Sequence, residues 1–139
     1  MNNVYESMNS NEVRVGSNVT TALISNLPTG IYKLLVEVGD GCTGGTVAEF
    51  YFCNRTFAGI NGISGGAFYS RTTKTPNFNE INPTTTIVTW TNAGNCQDGG
   101  NSTQYNYTLT VSSRGSNVNI TNNGNVERVY GATATRIRD

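Results

Sequence analysis

Histidine is absent from this chain of 139 residues. With it go the commonest general base, the Ser-His and Cys-His dyads and the commonest metal ligand. Charge is scarce too: 13% of the residues, nine basic against nine acidic, where an average soluble protein carries roughly 25%. Cations so few and scattered make no stripe for phosphates, which excludes nucleic acid as a partner. No stretch reaches the roughly 18 apolar residues of a membrane span, so no membrane insertion is expected. The opening MNNVYESMNSNEV has neither a charged n-region nor an apolar h-region, which predicts synthesis in the cytoplasm without a signal peptide. Three cysteines, Cys42, Cys53 and Cys96, leave one unpaired and argue against a secreted disulfide framework. No window has a period of 3.6 residues, and internal repeats are not visible.

What remains is Asn, Thr, Ser and Gly, with hydrophobic residues at 36% and a net charge of zero. Disorder would need low hydrophobicity together with high net charge. A chain of this length buries roughly two thirds of its unfolded surface, enough for a core without metals or cross-links. The surface is then polar and uncharged, which suits neutral hydroxyl-rich ligands or other protein subunits.

Residues 1–11 are polar and aperiodic and read as an arm that is flexible or ordered by a partner. From Glu12 to Asp139 one β-sandwich domain is expected, built from short runs of period two. Glu12–Val15 and Val19–Ile24 read as an opening pair of strands around Gly16-Ser17. Asn26-Leu27-Pro28-Thr29-Gly30 is a turn, because Pro presets φ and Gly accepts positive φ. In Ile31–Val38, Tyr32, Leu34, Val36 and Val38 share one face while Lys33 and Glu37 share the other. Thr46–Cys53 sets Ala48, Phe50 and Phe52 on one face, with Cys53 as a small core residue. Residues 59–66 read as a Gly-rich loop, Ala67–Thr72 as a short strand, and Thr73–Pro83, holding two of the three prolines, as a long loop. Thr84–Thr91 is β-branched. Asn92–Asn101 is a Gly/Asn loop. Thr103–Ser112 alternates, with Tyr105, Tyr107, Leu109 and Val111 inward. Val118–Ile120 and Val126–Ile137 flank Asn122-Asn123-Gly124, the best hairpin signal in the chain. Short strands with turns at this spacing predict an all-β, antiparallel, jelly-roll-like sandwich.

Few residues invite chemistry. The nine acids show no motif spacing. Gly39-Asp40-Gly41-Cys42-Thr43-Gly44 fits the dinucleotide pattern G-x-G-x-x-G, but that site needs a helix at its end, and Thr46–Cys53 reads as a strand. The loops around Cys42 and Cys96 each carry a cysteine, a carboxylate and glycines. Three readings stay open there: a Cys42–Cys96 disulfide, a small cation site between Asp40 and Asp98, or free thiols in unrelated loops. Asp40 and Asp98 are also the loop pair that a carboxylate-only glycosidase would need. Sequons stand at Asn18, Asn54, Asn101, Asn106 and Asn119; in so Asn- and Thr-rich a chain, several arise by chance. Tyr105 and Tyr107 belong to the core, and Trp90 to the core or its rim. Phe78, between Asn77 and Asn79 in a polar loop, is the first candidate for a ligand or subunit contact. Tyr69 is the second. Asn95 and Asp98 add the loop at Asn92–Asn101.

Three stretches resemble the small β-domains of bacteriophage tail fibres, head fibres and related virion appendages. They are Leu27-Pro28-Thr29-Gly30-Ile31-Tyr32, the Thr84–Trp90 strand, and the closing Val129-Tyr130-Gly131-Ala132-Thr133-Ala134-Thr135-Arg136-Ile137-Arg138. The last is similar to the basic final strand on which many such tip domains end. The resemblance covers about half the chain and transfers no residue role. It implies a homotrimeric sandwich at the virion surface, neighbouring virion proteins as partners, and a host-surface glycan as receptor. A decoration protein, a head fibre or a fibre tip fits the length best.

The expected function is therefore that of a non-enzymatic virion structural protein with a role in host attachment, needing no cofactor and no metal. A stand-alone carbohydrate-binding module is the alternative.

Overall fold

The computed structural model describes residues 8–39, 45–55, 60–70, 74–91, 103–112 and 116–138. They form ten strands: β1 (Met8–Val15), β2 (Thr20–Ile24), β3 (Ile31–Gly39), β4 (Thr46–Arg55), β5 (Ile60–Ser70), β6 (Thr75–Asn82), β7 (Thr85–Thr91), β8 (Tyr107–Val111), β9 (Val118–Asn122) and β10 (Arg128–Arg138). Two antiparallel five-stranded sheets result, in the orders β1-β10-β3-β4-β5 and β2-β9-β8-β7-β6. The expected β-sandwich is thus the observed one. Meanders β3-β4-β5 and β6-β7-β8-β9 make most of it. Only the ends wrap in jelly-roll fashion, with β1 beside β10 and β2 beside β9.

Alternation builds the core. Inward residues of the first sheet, Val15, Tyr32, Leu34, Val36, Val38, Ala48, Phe50, Phe52, Tyr130, Ala132 and Ala134, meet Leu23, Val88, Trp90, Tyr107, Leu109, Val111, Val118 and Ile120 of the second. Phe68 and Trp90 meet edge-on at 6.0 Å, and Tyr107 and Tyr130 at 5.7 Å. Such pairs join the two sheets beyond the area they bury. Burial pushes both of these phenols well above the ordinary tyrosine value. At one end, Lys74 and Arg128 are buried with their charges over the ring of Tyr105, at 5.2 and 5.8 Å from its centroid, and Arg128 donates to Gln104.

Four sequence readings need correction. Strand β1 begins at Met8, inside the stretch read as an arm, because β10 is long enough to pair with it from Thr135 to Arg128. The Gly-rich stretch at 59–66 is mostly strand: β5 runs from Ile60 along β4 as an edge. Gly66 is the extra residue of a bulge opposite Glu49 and Phe50, a place where glycine belongs in a strand. The Thr73–Pro83 loop is mostly the edge strand β6. Pro76 is tolerated there because an edge strand has one unpaired side.

The fourth correction concerns Asn122-Asn123-Gly124, which is no hairpin. Strand β9 belongs to the second sheet and β10 to the first, so the chain crosses between sheets there. The turn at Gly16-Ser17 makes the same crossing from β1 to β2. Buried Asn122 ties the two crossings together. Its amide nitrogen donates to the Val15 and Val126 carbonyls at 2.9 and 2.8 Å, and its side-chain oxygen accepts from the Gly124 N–H at 2.8 Å. Its backbone pairs with Asn18 and Val19. The bond to Val15 spans 107 positions of the chain, which a local turn signal cannot show.

Candidate binding face

Register decides what each outer surface displays. In the second sheet the outward rows run Thr20–Thr121–Thr108–Ile87–Asn79 and Ala22–Asn119–Thr110–Thr85–Asn82, with Thr89 facing Asn77 and Thr91 facing Thr75 beyond them. The five strands hold one charged residue, Glu80. It lies opposite buried Thr86, so it sits on the inward row of the edge strand, away from this surface. Among the described strand residues, the outer face of the second sheet thus carries no charge. Neighbouring hydroxyls and amides hold one another: Thr20 with Thr121 at 2.6 Å, Thr75 with Thr91 at 2.5 Å, and Thr108 donating to Asn123 at 2.5 Å. β-branched threonine suits both the pleat and this lateral pairing. The outcome is a broad, pre-ordered polar surface.

The outer face of the first sheet is different. It displays Glu12, Arg14, Lys33, Glu37 and Glu49, with Leu35, Tyr51, Tyr69 and Ile137 exposed among them. Among the described residues two ion pairs are seen on this face, Arg14–Glu127 at 3.1 Å and Lys33–Glu49 at 3.8 Å.

The sequence candidates divide between these surfaces. Asn77 and Asn79 are exposed on β6, at the margin of the uncharged face. Phe78, between them, points the other way. Its half-buried ring packs edge-on against Phe50, with centroids 5.6 Å apart, and fills the space that a side chain at Gly65 would take. Period two, hidden in Pro76-Asn77-Phe78-Asn79, is the signal that could have shown this. Tyr69 is 63% exposed but lies on the first sheet's edge strand, so it does not join the asparagines. Asp40, Cys42, Asn95, Cys96 and Asp98 lie outside the described residues. The disulfide, the cation site and the acid pair lie there with them.

Comparison with family models, with curated proteins and with solved structures gives no match. The site therefore stands on its own chemistry. Cys53 is half-buried on the outer face, because Phe52 and Asn54 take the inward positions. It is thus no core residue, and burial pushes its thiol up, away from the reactive thiolate. The sequon at Asn54 is no glycan acceptor in the folded chain. Its buried amide donates to the Pro28 carbonyl at 3.0 Å and accepts from the Gly30 N–H at 2.5 Å, which pins the Leu27–Gly30 turn.

The residues missed by sequence reasoning are the outward threonines of β7, β8 and β9. Each is an ordinary strand residue by itself. Only the pairing of strands distant in sequence gathers them into one surface.

Proposed function

We propose that this domain is a non-enzymatic attachment and assembly module of the virion-surface kind that its sequence resembles. We place its attachment surface on the outer face of the second sheet. The observation that carries this is the absence of charge from the outward rows of the five strands, which are mostly Thr and Asn. A surface of hydroxyls and amides exchanges water for ligand hydroxyls one for one. It leaves no charge to be desolvated, the step that burdens a charged interface. The ligand class that fits is a neutral, hydroxyl-rich glycan. A rigid sheet suits it, since side chains already held by their neighbours lose little freedom on binding. The lack of any histidine agrees with a role in binding rather than turnover.

The first test is the solution mass, by light scattering over a range of concentrations. A stable trimer supports the virion-appendage role. A monomer that still binds sugar turns the assignment to a free carbohydrate-binding module working through the same face. The second test is a screen of neutral glycans on the intact chain and on Thr108→Lys/Thr121→Lys. Two lysines on the contact surface leave uncompensated charges in it and should weaken binding about tenfold or more. Binding that survives unchanged would remove the second sheet from the role.

A further inference from the structure

We infer that the outer face of the first sheet is a head-to-tail contact between copies of this chain, an acidic groove on one copy taking the basic end of β10 from the next. This rests on the assembly role proposed above and names the surface that performs it.

Gly131 has no side chain, and its strand neighbours on either side are Glu12 of β1 and Glu37 of β3. A groove of about 540 Å³ opens there, bounded further by Val47, Val129 and Tyr69. A Cβ on Gly131 would stand 2.9 Å from a Glu37 carboxylate oxygen, so the Glu37 side chain leans over the glycine. Neither glutamate has a described cation partner, whereas Glu49 and Glu127 on the same face do. Two carboxylates, Glu12 and Glu37, therefore line the groove, and no Lys or Arg is among its lining residues.

The opposite end of the same sheet is basic. There β10 finishes in Arg136, Ile137 and Arg138. Arg136 lies opposite buried Tyr32, on the inward row, and donates to the Thr29 carbonyl at 2.7 Å. Arg138 lies opposite Ile31 on the outward row, exposed and with no ion-pair partner among the described residues. Ile137 between them is 39% exposed. Asp139, which follows in sequence, lies outside the described residues.

Along β10, Gly131 and Arg138 are separated by roughly 24 Å at about 3.4 Å per residue. One copy's basic end therefore cannot fold back into its own groove, and the fit is between copies. A guanidinium entering the groove meets the Glu37 carboxylate leaning over Gly131, with Glu12 on the strand at its other side, a charge-assisted contact that arginine favours. The Tyr69 ring is exposed at the end of the groove for stacking, and Ile137 arrives beside apolar Val47 and Val129. The exposed Leu35 and Tyr51 extend the contact along the sheet. Acidic end to basic end is a heterologous contact, and such contacts close into rings when the rotation permits.

Charge exchange in the full chain, read by sedimentation and light scattering, tests this. Glu12→Arg/Glu37→Arg should reduce the mass to that of one chain, and Arg138→Glu, at an exposed position, should weaken association about tenfold without lowering the melting temperature. The chain with all three changes should regain the native mass. The inference is overturned if either variant leaves the native association unchanged, or if the threefold exchange fails to restore it while each variant melts as the native chain does. A native chain that is monomeric at every concentration overturns this and the trimer together. A native trimer indifferent to the exchanges overturns only this contact.

Discussion

The two outer faces of this sandwich are made by the same rule and display opposite chemistry. In both sheets inward residues alternate with outward ones. Outward on the second sheet come threonine and asparagine; outward on the first come glutamate, arginine and lysine with exposed Leu35, Tyr51 and Tyr69. Low charge in the composition is thus not evenly spread. It is concentrated on one side, leaving the other neutral. A neutral polar face and a face of mixed charge and exposed aromatics suit different partners. The division of work between a glycan and a second copy follows from that contrast.

The largest effect is expected where the two sheets are held together. Asn122→Ala leaves the carbonyls of Val15 and Val126 without their donor and the Gly124 N–H without its acceptor. At about 1–3 kcal/mol for each buried group left unpaired, partly relieved by water, the loss should be about 3 kcal/mol in denaturant unfolding. A loss below about 1 kcal/mol would mean that the crossings hold without it.

Phe78→Ala comes next. The ring is half-buried against Phe50, so the change should cost about 2 kcal/mol, less than a full core deletion. Glycan binding at saturating protein stability should be kept, whereas Asn77→Ala should leave stability alone.

Alkaline pH tests the core that separates the faces. Folded Tyr107 and Tyr130 titrate above the ordinary 10.0, because burial disfavours the phenolate. In the unfolded chain they ionise near 10.0, so above that pH the unfolded state binds fewer protons. Stability is fully present below pH 10.0 and falls as pH rises past it. The slope should be about 1.4 kcal/mol per pH unit for each tyrosine. Tyr107→Phe should flatten it, and an unchanged slope would place the titration elsewhere.

Thr108→Lys/Thr121→Lys should cost less than Phe78→Ala, within about 1 kcal/mol in thermal unfolding, because the two lysines stand opposite one another on β8 and β9. Both side chains are outward on the second sheet, so binding should fall far more than stability at this pair.

Much of the fold was legible. Ile31–Val38, Thr46–Cys53 and Thr84–Thr91 alternate strongly enough that period two reads directly as strand and face. What failed did so for definite reasons. Glycine and proline mark loops in isolation, but on the edge strands β5 and β6 they answer to Phe78 above Gly65 and to an unpaired strand side at Pro76. The Asn-Gly signal after Asn122 describes a local turn, while the burial of Asn122 between sheets is a long-range fact. The site was less legible than the fold. Asn77 and Asn79 were found as exposed amides, but Thr20, Thr121, Thr108 and Thr85 become a surface only through pairings among β2, β9, β8 and β7.

The most direct test of the divided sandwich is a neutral-glycan array probed with the native chain and with Thr108→Lys/Thr121→Lys at matched solution mass. The native chain should retain neutral glycans, and the variant should lose them by about tenfold or more while staying folded at the assay temperature. Equal retention by both, or no neutral glycan retained by either, would contradict it.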